Sequence, residues 1–131
     1  LAAALLLGAQ GIQMGTRFLA AAECEAHPFY VERVLRARDT GTVVTGRSIG
    51  QPVRCLKSLL ADRLLREEKQ GKGTYPTGAL RRAVTEGDEA GGWFLAGQSA
   101  GLVRRRLPAA DIITEVVEQG RQRLKNAPIL L

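Results

Sequence analysis

A short apolar run that stops at a glycine–threonine pair is the sequence feature that most constrains the fold. Residues 11–14 read Gly-Ile-Gln-Met and are predicted to form a short strand buried on both faces, and Gly15 and Thr16 follow directly. Residues 1–9 are predicted to be the end of a helix that a glycine closes, and residues 17–25 to be helical again. This succession of helix, buried strand and helix is typical of α/β proteins.

The position of Gly15 and Thr16 after the strand indicates a phosphate site. A glycine lets the backbone approach an anion, and the Thr16 hydroxyl and the first N–H groups of the next helix can donate to it. In a (β/α)8 barrel such sites come typically from the loops after strands seven and eight. On the pattern alone the alternative stays open that Gly15 only makes room for a tight strand-to-helix turn.

The middle of the chain is predicted to contain two helices that start with proline. Pro28 and Pro52 each stand where the first residue of a helix would. One apolar stripe of the second of these helices comprises Val53, Leu56, Leu60 and Leu64. Residues 42–45 are strand-like, and residues 70–78, with three glycines and one proline, are predicted to be a mobile connection.

The last part of the chain is predicted to end in its clearest helix. Residues 79–87 indicate a short helix, and residues 91–102 a small-residue loop with a hydrophobic centre. Pro108 then starts the last helix, with Asp111 in its first turn. Its apolar stripe is predicted to comprise Ile112, Ile113, Val116, Val117 and Leu124.

Composition and charge narrow the class of protein. The chain has 131 residues, about one domain, and 19 Lys and Arg against 13 Asp and Glu give it a net charge of +6. This charge suits a phosphate, a nucleic acid or a membrane surface, and cannot choose among them. Cys24 and Cys55 form no C-x-x-C pair, so we predict no metal site and two reduced thiols in a cytoplasmic protein.

The first residues favour a piece of a longer protein. The opening apolar run ends at Gly8 and is too short to cross a membrane, which needs about 20 apolar residues. The chain also starts with Leu1, inside a helical pattern that has no cap before it. We therefore expect a C-terminal fragment of a larger protein and no association with a membrane.

Several separated motifs resemble one enzyme family. The stretch GAQGIQMGTRFLAAAECEAHPFYVERVLRARDTGTVVT resembles the eighth-strand region of the nitronate monooxygenase family, which also contains the FMN-dependent enoyl-acyl-carrier-protein reductases of type II. The likeness continues through GQPVRCLKSLL, GALRRAVTEGDEAGG and FLAGQSAGLV, so it covers nearly the whole chain. It implies the C-terminal part of a (β/α)8 TIM barrel, an α/β fold, with a mostly helical cap and a closing helix.

The resemblance also assigns residues to the cofactor. In the family the Q-M-G-T turn holds the phosphate of FMN, which carries this role onto the residues Gln13, Met14, Gly15 and Thr16. The family's catalytic histidine belongs to a strand before this region, so no catalytic residue is expected here. His27 is predicted to be a structural residue at a helix start, and Arg17 to pair with a nearby carboxylate of the barrel rather than with phosphate. Phe18 is predicted to lie in the core.

Three further features receive weaker assignments. Gly97 and Gln98 are candidates for a lid over the flavin and Trp93 for the wall of a substrate entrance, although a large aromatic residue is more often part of the core. Residues 104–106, three arginines, are predicted to be a solvated turn, with contact to an acidic carrier protein or a nucleic acid as the alternative. Along the chain, residues 1–45 are assigned to the end of the barrel, 46–107 to the cap and 108–131 to the closing helix.

The predicted function is that of an FMN-dependent oxidoreductase, with the enoyl reductase favoured over the nitronate monooxygenase. The reductase would use NAD(P)H as co-substrate and an acyl thioester, carried by acyl carrier protein, as substrate. The resemblance is also compatible with a homodimer. A small basic nucleic-acid-binding module is the alternative from another class, and the six aromatic residues and the lack of a recognition helix disfavour it. We expect the fragment alone to be inactive and to expose apolar surface around Ile12.

Overall fold

The computed structural model describes residues 1–127, a mixed α/β chain. The elements in these residues, in chain order, are α1 (Ala2–Leu6), a first 3₁₀ helix (Thr16–Ala20), α2 (Pro28–Leu35), β1 (Thr42–Thr45), β2 (Val53–Leu56), α3 (Leu59–Lys69), α4 (Ala79–Thr85), a second 3₁₀ helix (Gln98–Leu102) and α5 (Ala109–Lys125). None of the helices within residues 1–127 is long and apolar enough to cross a lipid bilayer.

Local capping signals fix the starts of two predicted helices. Pro28 is the first residue of α2, and the Nδ1 atom of His27 accepts a hydrogen bond from the Phe29 N–H at 3.2 Å. Pro108 is the N-cap residue of α5, one position before its first helical residue, Ala109. Both helix starts confirm the sequence predictions. The capping bond confirms the structural role predicted for His27.

The helix predicted from Pro52 is wrong over its first turn. Val53–Leu56 is a strand that pairs antiparallel with Thr42–Thr45, in a register that places Thr42 opposite Leu56. The helix begins only at Leu59, where the Ser58 hydroxyl accepts from the Ala61 N–H at 3.2 Å. Pairing with β1 outweighs the helical spacing of the apolar residues, because each strand satisfies the backbone groups of the other.

The strand predicted at residues 11–14 does not form in the described chain. None of its backbone groups has a backbone hydrogen-bond partner among residues 1–127, and Ile12 is 39% exposed. A lone extended segment gains nothing without neighbouring strands, since its stability comes from pairing. The expectation of apolar surface around Ile12 is confirmed.

The helix predicted at residues 17–25 is shorter than expected. It is the 3₁₀ helix Thr16–Ala20, after which Ala21 becomes extended and forms a parallel bridge with Leu107. The Ala22 N–H donates to the Leu107 carbonyl at 2.8 Å, and the Arg106 guanidinium donates to the carbonyls of residues 21, 22 and 24. The chain therefore leaves this bridge after Ala21 and returns to it at Leu107.

We call residues 22–106 the bracketed segment, and residues 1–20 and 108–127 the flanks. Two apolar clusters lie almost wholly inside the bracketed segment. In the first, α2 packs on Phe94, whose ring meets the Tyr30 ring edge-on at 5.1 Å between centroids. In the second, α3 packs on the hairpin around Cys55 and Trp93. Residues 94–96 run alongside β2 and are joined to it by an antiparallel bridge between Leu95 and Cys55.

The apolar stripe predicted on α5 is only partly buried. Ile112 is completely buried, but Ile113 is 55% exposed and Val117 41% exposed. Helix α1 packs on α5 at Gly120, where an added Cβ atom would lie 3.0 Å from the side chain of Leu1. Residues 128–131 of the predicted closing helix lie outside the described residues.

Candidate cofactor phosphate site

The turn predicted to hold a phosphate lines a cleft of about 660 Å³. Residues 13–17 form one wall of this cleft, and the loop around Gly97 and Ser99 forms a second. Glu115 and Gln119 of α5 face them. The four predicted residues, Gln13, Met14, Gly15 and Thr16, all line this cleft, together with residues that lie about 80 to 100 positions away in the chain.

The Thr16 hydroxyl is oriented by the opposite wall. Its Oγ1 atom accepts a hydrogen bond from the Gly97 N–H at 2.9 Å. Because a hydroxyl has one donor and two acceptor positions, its own proton stays available to donate to an anion. The backbone N–H groups of Thr16 and Arg17 have no hydrogen-bond partner among residues 1–127. The turn thus offers up to three donors to a ligand in the cleft.

Gly15 provides open space at the same place. Its backbone has φ −101° and ψ −64°, a conformation that other residues adopt as well. A Cβ atom added at Gly15 would meet no atom within 4 Å. Neither conformation nor packing within the described chain requires glycine here, so the free space next to the donors fits close approach by a phosphate oxygen.

The cleft carries a net positive charge. Arg17, Arg104 and Arg105 line it together with one acidic side chain, Glu115. Arg17 donates from Nη1 to the Arg105 carbonyl at 3.2 Å, so within the described residues its partner is a carbonyl and not the predicted carboxylate. Arg105 pairs with Glu115, with 3.2 Å between Nη2 and Oε1. Three cations against one carboxylate favour an anionic ligand.

The three consecutive arginines are tied to the fold rather than set out as one cationic surface. Arg104 donates to the Ala37 carbonyl at 3.3 Å, and Arg106 donates to three carbonyls near residue 22. Within residues 1–127, Arg105 is the one of the three that has a charged partner. This arrangement accords with the predicted turn before the last helix.

Trp93 and Gln98 are not among the described residues that line the cleft. Trp93 is 3% exposed and belongs to the second apolar cluster, where the Tyr75 ring meets it edge-on at 5.5 Å. The structure therefore places Trp93 in the core. Gln98 is exposed and starts the second 3₁₀ helix, next to Gly97, which does line the cleft.

The two cysteines take no part in the cleft. Cys24 and Cys55 are both free thiols, and burial raises the pKa of the Cys55 thiol above its ordinary value. Within residues 1–127 no group of three or more His, Cys, Asp or Glu side chains is placed to hold a metal ion. The chemistry of the site is that of hydrogen-bond donors and arginines.

A sequence model of the nitronate monooxygenase family matches residues 1–119. A probable nitronate monooxygenase of Staphylococcus saprophyticus is 33% identical over 128 residues, which are 93% of this chain and 36% of that protein. One from Staphylococcus aureus is 30% identical over 129 residues, 92% of this chain and 35% of that protein. The chain belongs to the nitronate monooxygenase family. It spans about a third of the length of these curated relatives.

A solved structure is also similar to this chain in its coordinates. FabK from Thermotoga maritima superposes with a TM-score of 0.89 at 40% sequence identity, over 95% of this chain and 41% of that one. A mutant of that protein gives a TM-score of 0.83 at the same identity. The fold described above is therefore one found in a related protein of known structure.

Of the residues that face the turn, sequence reasoning singled out Gly97 and missed Ser99, Glu115 and Gln119. All four line the cleft, and Arg105 does so beside them. Glu115 and Gln119 are spaced i and i+4 on α5 and are hydrogen-bonded to each other at 3.0 Å, which is a visible signal of a shared helix face. Nothing in the sequence indicates which element that face meets.

Proposed function

We propose that this chain is the C-terminal part of an FMN-dependent oxidoreductase, and that residues 13–16 bind the phosphate of FMN. In this proposal residues 11–14 are the eighth strand of a (β/α)8 barrel whose other strands belong to a longer protein. The observation that supports it most is the cleft itself, which combines free hydrogen-bond donors of the turn with an excess of positively charged side chains.

The residues of the turn fit a phosphate monoester. The Thr16 hydroxyl proton and the N–H groups of Thr16 and Arg17 suit three charged oxygens, and the space at Gly15 lets one of them come close. Bound FMN would supply the hydride and electron transfer of the reaction. The role of this chain is to hold the cofactor's phosphate and to place the loop at Gly97 beside it.

For the reaction we propose an enoyl reductase. The reductase takes a hydride from NAD(P)H and passes it to the double bond of an enoyl thioester carried by acyl carrier protein. The support is the 40% identity to FabK, an enoyl-acyl-carrier-protein reductase of type II, which is higher than the 33% identity to a probable nitronate monooxygenase.

Oxidation of alkyl nitronates with dioxygen is the second candidate. The family model and the curated relatives carry the nitronate monooxygenase name, at 30–33% identity over nearly the whole chain. Both reactions need the same phosphate site, so the phosphate assignment does not depend on the choice between them.

The phosphate assignment is tested by substitutions in the turn of the complete protein. Thr16→Ala removes one hydroxyl donor to a charged oxygen and is expected to weaken FMN binding by about 1.5–3 kcal/mol. Gly15→Val fills the open space and is expected to weaken it more. Fluorescence titration with FMN measures both effects.

Gly11→Ala is the matched control, because Gly11 also has no atom within 4 Å of an added Cβ but does not line the cleft. It is expected to leave FMN affinity unchanged. Equal FMN affinity in the wild type, Thr16→Ala and Gly15→Val proteins would contradict the assignment.

The reaction is tested by reoxidation of the reduced flavin. Complete protein reduced anaerobically with NAD(P)H is expected to reoxidise rapidly on mixing with crotonyl thioester, and stopped-flow absorbance follows the flavin. Slow reoxidation by the thioester together with rapid flavin bleaching by propyl nitronate would instead establish the monooxygenase.

A further inference from the structure

Arg105 is the arginine of the cleft that reaches across it. Its carbonyl accepts from Arg17 on the wall formed by the turn, and its guanidinium binds Glu115 of α5 on the facing wall. Arg17 and Arg104 instead donate to backbone carbonyls, which are neutral acceptors. Within the described residues, the Arg105 backbone is therefore held by Arg17, and its guanidinium is held by the side chain of Glu115.

The pair that Arg105 forms with Glu115 is suited to exchange. The Arg105 side chain is 64% exposed, and a guanidinium has five N–H donors, of which the pair uses one. An exposed ion pair of this kind contributes little to stability, and a phosphate with two negative charges attracts a guanidinium more strongly than one carboxylate does. Replacement of Glu115 by a phosphate as the partner of Arg105 therefore costs little free energy.

Glu115 also keeps a partner when Arg105 leaves. The Gln119 amide donates to the same Oε1 atom of Glu115 at 3.0 Å. The carboxylate is thus held in place on α5 whether or not the guanidinium is bound to it. It stays near the ligand, where its negative charge opposes an anion.

Resting on the proposed function, we propose that Arg105 binds the FMN phosphate and that Glu115 holds its guanidinium at the cleft before the cofactor arrives. Arg105 would then set the preference of the protein for FMN over riboflavin, which has the same ring system but no phosphate. Glu115 would limit that preference by competing for the guanidinium.

The test compares FMN and riboflavin affinity in variants of the complete protein by fluorescence titration at fixed salt. Arg105→Gln is expected to weaken FMN binding about tenfold, the worth of one charge-assisted hydrogen bond, and to leave riboflavin binding unchanged. Glu115→Gln keeps an acceptor for Arg105 but removes the charge, so FMN should bind more tightly and riboflavin as before.

Arg121→Gln is the control for charge alone. Arg121 lies on α5, the helix that also contains Glu115, pairs with Glu118 at 3.9 Å and does not line the cleft. Arg121→Gln changes the net charge by the same amount as Arg105→Gln. It should change the affinity ratio of FMN to riboflavin much less than Arg105→Gln does. Thermal melts of all three variants report whether the fold is kept.

Three results would overturn the proposal: an Arg105→Gln effect no larger than that of Arg121→Gln, an equal loss of FMN and riboflavin affinity, or a raised KM for NAD(P)H with FMN binding unchanged. Loss of FMN affinity in Thr16→Ala without loss in Arg105→Gln would reject this inference and leave the phosphate site standing. No loss in either variant would reject both.

Discussion

The bracketed segment and the flanks have similar apolar residues but bury them very differently. In the bracketed segment Phe94 is fully buried and Leu60 is 1% exposed. In the flanks Leu6 is 72% exposed and Ile113 is 55% exposed. Among the described residues of the flanks, the only buried ones are Ala20, Ile112 and Gly120.

The difference shows which part of the chain supplies its own packing partners. The bracketed segment contains both strands of its hairpin and the helices that cover them. The flanks contain a segment with strand-like sequence, residues 11–14, but no strand for it to pair with among the described residues. Burying one large aliphatic side chain stabilises a fold by about 1.5–3 kcal/mol, so a few exposed ones are a substantial loss.

The largest expected effect separates the two regions by core truncation. Phe94→Ala in the 131-residue chain should lower the free energy of unfolding by about 3–5 kcal/mol, because it leaves a cavity beneath Tyr30 and Phe29. Ile113→Ala in the flank should cost less than about 1 kcal/mol, since its side chain is mostly exposed. Urea unfolding monitored by circular dichroism measures both. Equal costs would remove the contrast between the regions.

A pair of glycine substitutions tests the same contrast at the backbone. Gly46 follows β1 with φ +82°, and an added Cβ would lie 2.2 Å from the Gln51 carbonyl oxygen. Gly46→Ala should therefore destabilise the chain by about 2 kcal/mol or more. Gly15→Ala in the flank has neither a positive φ nor a close neighbour, so the same urea midpoint as the wild type is expected. A clear shift for Gly15→Ala would mean that the flank is packed more tightly than described.

The smallest expected effect concerns the buried hydroxyl of Tyr30, which donates to the Leu95 carbonyl. Burial raises the pKa of this hydroxyl, so the unfolded chain ionises first and stability falls as pH rises above about 10. Tyr30→Phe should cost about 0.5–1.5 kcal/mol at pH 8, and the difference should shrink above pH 10.

Tyr75→Phe is the matched control for this measurement, because Tyr75 is 52% exposed. It should leave the unfolding profile between pH 8 and 11 unchanged, which thermal melts at each pH can follow. A difference between Tyr30→Phe and wild type that stays constant across this range would contradict the role of the buried hydroxyl.

Elements with local signals could be predicted from the sequence, and those that depend on distant partners could not. Pro28 and Pro108 mark helix starts through their own backbone geometry, and both starts are where the sequence places them. Val53–Leu56 has apolar residues at a spacing that also fits a helix, and only its pairing with β1 makes it a strand. Residues 11–14 are the reverse case, a strand-like sequence with no partner in the described chain.

The candidate site divides in the same way. The turn at residues 13–16 could be singled out from the sequence because its residues are contiguous and resemble the family's Q-M-G-T turn, and its phosphate role stays a prediction. The Gly97 N–H that orients Thr16, and the pair formed by Arg105 and Glu115, come together only through folding. Their sequences alone are those of an ordinary loop and an ordinary polar helix face.

The parallel bridge between Ala21 and Leu107 has a consequence for how such proteins can diversify. Because the bracketed segment begins and ends at one bridge, its length can change without separating the two flanking chain segments that meet there. Exchange of this block for one of another length would add only a slowly growing loop-closure entropy, about 0.6 kcal/mol for each doubling. A block of another length can thus follow the unaltered turn at residues 13–16, provided that it offers an N–H to Thr16 where Gly97 now stands.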